Sequence, residues 1–275
     1  MIVVTGATGN VGRTLVRTLA AAGDKVTAVA RRISADDVPP GVPTHRADLV
    51  RAETLRPALD GADALFVLTS GDYVAAGGDT AALVEAARAG GVGRIVLLSS
   101  QGVATGRHPA ALEEPVTGSD LDWTLLRPGG FDSNALAWAD MVRTERMVAA
   151  PFGDVALPTV DPDDIAAVAA AVLRETGHTG AAYELTGPAP ISPRQQTAAI
   201  ADAIGEPVRY VELTRAQALE RMRAFMPEPV AEATLAILGE PTPAEQRVGT
   251  DIERVLGRPA GDFRGWAGRN AAAFK

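Results

Sequence analysis

Residues 1–12 read Met-Ile-Val-Val-Thr-Gly-Ala-Thr-Gly-Asn-Val-Gly, and this stretch decides the fold of the chain. The β-branched run at residues 2–4 is typical of a buried parallel strand, and glycines follow at a spacing of three. Residues 13–20 then place apolar side chains at helical spacing. A strand, a glycine turn and a helix in this order let backbone N–H groups approach a pyrophosphate at the positive end of the helix. The stretch therefore predicts a nucleotide-phosphate cradle.

The composition is that of an ordinary globular protein. Of the 275 residues, 47% are hydrophobic and 22% are charged, and the formal net charge is −8. An acidic chain without long lysine or arginine runs lacks the basic stripe that nucleic-acid binding requires, so we expect no nucleic-acid partner. The chain has no cysteine, which excludes disulfides and agrees with a cytoplasmic location. No membrane association is expected, because no stretch approaches the roughly 20 apolar residues of a membrane span.

Strand-like and helix-like patterns alternate along the first half of the chain. Further strands are predicted at residues 26–30, 45–49, 64–68, 94–98 and 121–126, and helices between them at 51–59 and 80–89. This alternation predicts an α/β fold with a Rossmann-type, doubly wound parallel sheet. We expect a nucleotide-binding domain over residues 1–150, rejoined by a strand near 182–187. Residues 151–275 are expected to form a smaller, mainly helical substrate lobe that is not independent.

Three motifs resemble one known family. Residues 5–12 (TGATGNVG) are similar to the opening of the extended and atypical short-chain dehydrogenases/reductases. Residues 123–134 (WTLLRPGGFDSN) and 183–188 (YELTGP) resemble motifs of the NmrA-like and quinone-reductase-like branch of that family. The His-x-x-x-Glu motif of this branch is matched less closely, since His108 and Glu113 are five residues apart. The resemblance implies a nicotinamide cofactor and hydride transfer.

The predicted cofactor is NADP(H). Chains that prefer NAD usually have an acidic residue at the end of the second strand, whereas Arg31 and Arg32 stand there and suit a 2′-phosphate. Asp36 and Asp37 lie further along, and they leave open a contact with the ribose. The cradle, the arginine pair and the resemblance together imply these cofactor-binding residues: Gly6, Thr8, Gly9, Asn10, Val11, Gly12, Arg31, Arg32, Asp48, Leu49, Leu68, Thr69, Ser70, Ser99, Pro128 and Phe131.

The catalytic part of the site lacks the proton-donating pair of the larger superfamily. The resemblance implies that Ser99 positions the substrate, but no tyrosine of the chain has a lysine four residues later. We predict His108 as the acid, because histidine titrates near neutral pH. The candidate catalytic residues are thus His108, Ser99 and Asn134. Arg127 is expected to be structural.

Two functions are consistent with these features. The first is an NADP(H)-dependent oxidoreductase that transfers hydride to a small carbonyl, quinone or similar conjugated acceptor, with a C-terminal lobe covering the substrate. The second is a non-catalytic NADP(H)-binding redox sensor of the NmrA-like type, which the missing tyrosine–lysine pair favours. We expect the enzyme, acting on a small molecule. The oligomeric state is left open between monomer and dimer, and the spacing of the three histidines predicts no metal site.

Overall fold

A computed structural model describes residues 1–69 and 71–275. The strands in this part of the chain are β1 (Ile2–Thr5), β2 (Val26–Ala30), β3 (Thr44–Arg46), β4 (Ala64–Leu68), β5 (Arg94–Leu98), β6 (Asp122–Pro128), β7 (Met147–Ala150), β8 (Ala181–Leu185) and β9 (Arg209–Glu212). The helices are α1 (Asn10–Ala21), α2 (Arg56–Leu59), α3 (Gly71–Ala75), α4 (Thr80–Ala89), α5 (Gln101–Ala104), α6 (Glu114–Thr117), α7 (Ala139–Glu145), α8 (Pro162–Arg174), α9 (Pro193–Ile204), α10 (Arg215–Arg223), α11 (Glu228–Gly239), α12 (Asp251–Leu256) and α13 (Phe263–Arg269). Short 3-10 helices lie at Ala35–Asp37, Ala52–Leu55, Ala110–Leu112, Asp132–Trp138 and Ala271–Phe274.

The chain forms two compact units that are interleaved in sequence. The first unit comprises Met1–Pro128, Pro162–Leu185 and Asp251–Arg258, and the second comprises Gly129–Asp161, Thr186–Thr250 and Pro259–Lys275. The sequence predicts one boundary at residue 150 instead. The arrangement differs because β8 pairs with β6 and α8 packs beside α1, so this later segment completes the first unit.

The first unit is built on a seven-stranded sheet with the order β3-β2-β1-β4-β5-β6-β8, and every neighbouring pair is parallel. This is the predicted Rossmann-type sheet, in which strand order reverses beside β1. Residues such as Val3, Leu65 and Ile95 are fully buried, because helices cover both faces of the sheet. The carboxyl ends of β1, β4 and β5 lie side by side at one edge, which is where ligands of such sheets bind.

Helices α1 and α8 pack against each other through polar as well as apolar contacts. The hydroxyl of Thr14 in α1 donates a hydrogen bond to Asp163 in α8 over 2.9 Å. Asp163 and Asp164 both stand in the first turn of α8, as expected from the favourable interaction of carboxylates with helix N-termini. Asp164 is buried and forms a salt bridge with Arg258 at 2.7 Å.

The second unit is mainly helical, as predicted, but it also contains a small parallel sheet. Strand β7 pairs with β9, and the register places Val148 opposite Tyr210. A hydrophobic core of this unit includes the aromatic residues Phe263, Trp266 and Phe274. In the residues that the structure describes, we find no helix with both the length and the apolar character needed to cross a bilayer.

Candidate active site

The glycine turn between β1 and α1 uses each of its three glycines differently. Gly6 adopts φ +64°, a left-handed conformation that favours glycine. A methyl group at Gly12 would collide with the carbonyl oxygen of Gly6, so the turn and the helix pack too closely for a side chain there. A methyl group at Gly9 would meet only the Gly6 carbonyl oxygen, at 3.3 Å. The space in front of Gly9 is therefore open to a ligand.

The N-terminus of α1 is suited to bind an anion at this open space. Gly9 is the N-cap residue and has no side chain to satisfy the N–H groups of the first turn. The buried Thr5 hydroxyl donates to the Phe66 carbonyl over 3.0 Å and accepts from the Leu68 N–H over 2.9 Å. These bonds hold the turn beside the end of β4, where Leu68 and Thr69 lie. Ser70 is outside the described residues. The turn therefore fits a dinucleotide pyrophosphate.

The end of β2 presents two exposed arginines, Arg31 and Arg32. The following 3-10 helix is capped by Ser34, whose N–H and hydroxyl donate to Asp37 over 2.9 and 3.0 Å. These two hydrogen bonds lower the pKa of the Asp37 carboxyl below its usual value. Beside this helix, a groove of about 330 Å³ is lined by residues of α1 and of the segment after β2, namely Arg13, Arg17, Asp36, Asp37, Val38 and Pro39.

Asp48 and Leu49 follow β3 at the same edge of the sheet and are half-buried. The Asp48 Oδ1 atom accepts a hydrogen bond from the Val50 N–H over 3.2 Å. The hydroxyl of Thr54 accepts from the Asp48 N–H over 3.0 Å and fixes the local backbone. The contact of Asp48 and Leu49 with an adenine stays a prediction.

Ser99 follows β5 and belongs to a buried charged cluster with Glu113 and Arg127. The Ser99 hydroxyl donates to Glu113 Oε1 over 2.5 Å. Arg127 contacts both carboxylate oxygens, through Nε at 2.9 Å and through Nη2 at 2.5 Å. Glu113 is only 3% exposed, so Ser99 and Arg127 supply the polar contacts that offset the burial of its carboxyl group. The Glu113 carboxylate raises the pKa of the Arg127 guanidinium, and the structural role expected for Arg127 stays a prediction.

Ser100 and His108 form a second polar pair. The Ser100 hydroxyl lies 3.2 Å from His108 Nδ1, and it accepts a hydrogen bond from the Gly102 N–H over 3.0 Å. The Arg107 and His108 N–H groups both donate to the Gly102 carbonyl, which turns the loop back onto α5. A methyl group at Gly102 would collide with the His108 ring. His108 is exposed, yet its backbone and ring are both held in place.

The three tyrosines do not replace the missing tyrosine–lysine pair. Burial raises the pKa of Tyr73 and of Tyr183, and it raises the pKa of Tyr210 to about 12. The Tyr183 hydroxyl lies 2.7 Å from His178 Nδ1, and the Tyr210 hydroxyl donates to the Ala150 carbonyl over 2.6 Å. A catalytic tyrosine needs a lowered pKa, so these environments act in the wrong direction.

The remaining predicted residues are divided between the two units. Pro128 is the last residue of β6 in the first unit. Phe131 and Asn134 belong to the second unit, where Phe131 forms an isolated parallel bridge with Val160 and Asn134 is exposed. The assigned roles of these three residues stay predictions.

Comparison with known proteins agrees with this geometry. A family model described as NAD(P)H-binding matches residues 6–176. The chain is 38% identical to (4-alkanoyl-5-oxo-2,5-dihydrofuran-3-yl)methyl phosphate reductase of Streptomyces griseus, covering 100% of this chain and 99% of that protein. It is 36% identical to NAD(P)H azoreductase of Xenophilus azovorans, with the same shares covered. These relatives match the chain over its whole length.

Among solved structures, the NADPH complex of an Escherichia coli NADPH-dependent quinone oxidoreductase has the same fold. Its TM-score is 0.81 at 24% identity, and the match covers 98% of this chain and 99% of that chain. The predicted fold is thus confirmed, and the predicted nicotinamide cofactor is confirmed as NAD(P)H. The chain belongs to the NAD(P)H-binding family.

Proposed function

We propose that this protein is an NADPH-dependent reductase of small conjugated acceptors such as quinones and unsaturated carbonyl compounds. One observation carries the proposal. The glycine cradle after β1 and the Ser100–His108 pair after β5 stand at the same edge of one parallel sheet, with only β4 between the two strands. The turn that fits a cofactor and a group able to hold a proton therefore lie at the same edge of the sheet.

The chain offers binding groups for the phosphates of the cofactor. The open space at Gly9 and the N-terminus of α1 receive the pyrophosphate, and Arg31 and Arg32 receive the 2′-phosphate. The alternative is that Asp36 or Asp37 binds the ribose of NAD, but both follow the arginine pair in the chain, and Arg31 and Arg32 stand closer to the end of β2. These contacts support a preference for NADP(H). The bound cofactor supplies the hydride.

The class of acceptor is inferred from the strength of the acid that is needed to protonate its reduced form. Reduction of an isolated carbonyl leaves a strongly basic alkoxide and needs a strong, well-placed acid. Hydride addition to a conjugated acceptor leaves a delocalised and much less basic anion, for which a weak acid or water suffices. Burial raises the pKa of Tyr73, Tyr183 and Tyr210, so none of these tyrosines is activated as an acid, which supports conjugated acceptors.

The names of the two full-length relatives support the same class. The oxo-dihydrofuran of the Streptomyces griseus reductase contains a ring C=C bond conjugated with a carbonyl. The substrate of an azoreductase contains an N=N bond, which is also a π acceptor. The transfer of this chemistry to the present chain is part of our proposal.

The test is to mix the purified protein with NADPH and a panel of acceptors and to follow the loss of reduced-cofactor absorbance. The panel contains a quinone, an α,β-unsaturated lactone, an azo dye and a simple aliphatic aldehyde. We expect turnover with the conjugated acceptors and much slower turnover with the aldehyde. If well-folded, NADPH-saturated protein oxidises NADPH with none of them, the reductase proposal fails and the sensor function takes its place.

A further inference from the structure

The two adjacent serines after β5 stand in different environments. Ser99 faces the buried Glu113–Arg127 ion pair, whereas Ser100 faces the exposed His108. Ser100 is extended, with φ −148° and ψ 144°, so its side chain points away from that of its neighbour. The two hydroxyls therefore serve different partners.

The hydrogen of the Ser99 hydroxyl is already used. A serine hydroxyl has one donor and two acceptor positions, and Ser99 donates its hydrogen to the Glu113 carboxylate at 2.5 Å. An ionised carboxylate is a strong acceptor and does not release this hydrogen to a weaker one. Ser99 therefore has no hydrogen to donate to a substrate while the ion pair is intact.

The direction in which the Ser100 hydroxyl donates its hydrogen depends on whether His108 Nδ1 carries a proton. One lone pair of the Ser100 oxygen accepts the Gly102 N–H. When His108 Nδ1 is protonated it donates to the second lone pair, and the Ser100 hydrogen is then free to point elsewhere. When Nδ1 is unprotonated, Ser100 donates to it instead. We propose that Ser100 is the hydroxyl that donates to the acceptor, and that protonated His108 both frees this hydrogen and replaces it.

This donor role of Ser100 rests on the proposed reductase function. The acceptor gains a hydride, and its π-bond electron pair moves to the terminal oxygen or nitrogen. That atom takes the hydrogen of Ser100, Ser100 takes the proton of His108 Nδ1, and the exposed imidazole is reprotonated by solvent. The net consumption is one NADPH and one proton. Along this segment the charged neighbours are Arg107, next in the chain, and Glu113, which is held by Arg127.

The kinetic test compares matched variants with NADPH and the unsaturated lactone as acceptor. Ser100→Ala should lower kcat about 100-fold with NADPH affinity unchanged, whereas Ser100→Thr, which keeps the hydroxyl, should retain most of the turnover. Ser99→Ala should lower the melting temperature and lower kcat by less than about tenfold. Gly102→Ala, which displaces the His108 ring without removing either partner, should lower kcat as Ser100→Ala does. Ser119→Ala is the control for a serine outside the site.

A second measurement needs neither cofactor nor acceptor. It is the NMR spectrum of the histidine ring nitrogens in ¹⁵N-labelled protein. The chain has three histidines, so the signals that vanish in His108→Ala identify His108. Its Nδ1 signal should shift in Ser100→Ala and not in Ser99→Ala. If the wild-type protein reduces the lactone while Ser100→Ala remains within about threefold of it, the donor role alone is overturned. A wild-type protein that reduces no acceptor overturns the reductase function and the donor role together.

Discussion

Glu113 and Arg127 form a buried, two-contact ion pair, with the Arg127 Nη2 atom 2.5 Å from Oε2 and the Nε atom 2.9 Å from Oε1. Glu113 comes from the turn before α6, and Arg127 from the end of β6. The pair therefore ties the loop after β5 to the neighbouring strand. The loop from Ser99 to Glu113 contains Ser100 and His108. Both of its ends are held, because Ser99 donates to Glu113 and Glu113 pairs with Arg127.

We predict that Arg127→Met destabilises the protein by about 3–5 kcal/mol, because it leaves the Glu113 carboxylate buried without its cation. The double variant Glu113→Leu, Arg127→Met should recover most of this loss, since it removes both charges. Denaturant unfolding measures both values. The control Arg88→Met removes an exposed, solvent-screened ion pair with Asp120 and should leave the stability nearly unchanged. Equal losses at Arg127 and Arg88 would contradict the structural role of the buried pair.

Much of the first unit could be predicted from the sequence because its signals are local. The glycine turn and the β-branched run of β1 specify backbone conformations within a few residues of each other. The predicted helix over residues 80–89 coincides with α4, whose N-cap Asp79 accepts from the Ala81 N–H. The predicted helix at 51–59 is instead a 3-10 turn followed by the short α2.

The remaining features depend on contacts between distant residues. Strands β7 and β9 were not predicted, because β7 begins at Met147 and its partner Arg209 lies 62 residues later. Nothing in the sequence near Gly102 shows that the His108 ring packs on it. The bond between Ser99 and Glu113 belongs to a cluster in which Glu113 also meets Arg127, which only the folded sheet brings about.

A second prediction separates the roles of two glycines in the cradle. Gly9→Val should abolish NADPH binding and leave the fold largely intact, because its side chain would occupy the open space and needs only a small adjustment near the Gly6 carbonyl. Gly12→Val should instead destabilise the fold, because its Cβ would collide with that carbonyl. Thermal unfolding and fluorescence titration with NADPH measure the two effects. A folded Gly9→Val protein that binds NADPH normally would place the phosphates elsewhere.

The arginine pair after β2 leads to a prediction of cofactor preference. A charge-assisted contact to the 2′-phosphate is worth roughly 1.5–3 kcal/mol, so NADP(H) should bind at least about tenfold more tightly than NAD(H). In the double variant Arg31→Ala, Arg32→Ala the two cofactors should bind equally. Titration calorimetry measures both preferences, and Arg56→Ala, remote from β2 in sequence, is the control. Equal affinities in the wild-type protein would refute the assignment.

The tyrosines give a prediction for alkaline pH. Free tyrosine has a pKa of 10.0, whereas burial raises the pKa of all three tyrosines here, that of Tyr210 to about 12. Because the folded state then holds the phenolic proton more tightly than the unfolded state, stability should fall as the pH rises from 10 towards about 12. Absorbance of tyrosinate should therefore develop together with unfolding, whereas urea-unfolded protein should titrate near pH 10. A tyrosine that ionises well below pH 10 in the folded protein would be a candidate for the missing acid.

The final prediction concerns His108 and the basicity of the reduced acceptor. With the unsaturated lactone, hydride addition leaves an enolate, and His108→Ala should lower kcat about 100-fold while NADPH affinity stays unchanged. With a quinone, the hydroquinone anion is much less basic and water can protonate it, so the same variant should lose less than about tenfold. His178→Gln is the matched control, because His178 precedes β8 at the opposite edge of the sheet and contacts Tyr183. An equal loss with both acceptors would show that His108 holds the site together without supplying a proton.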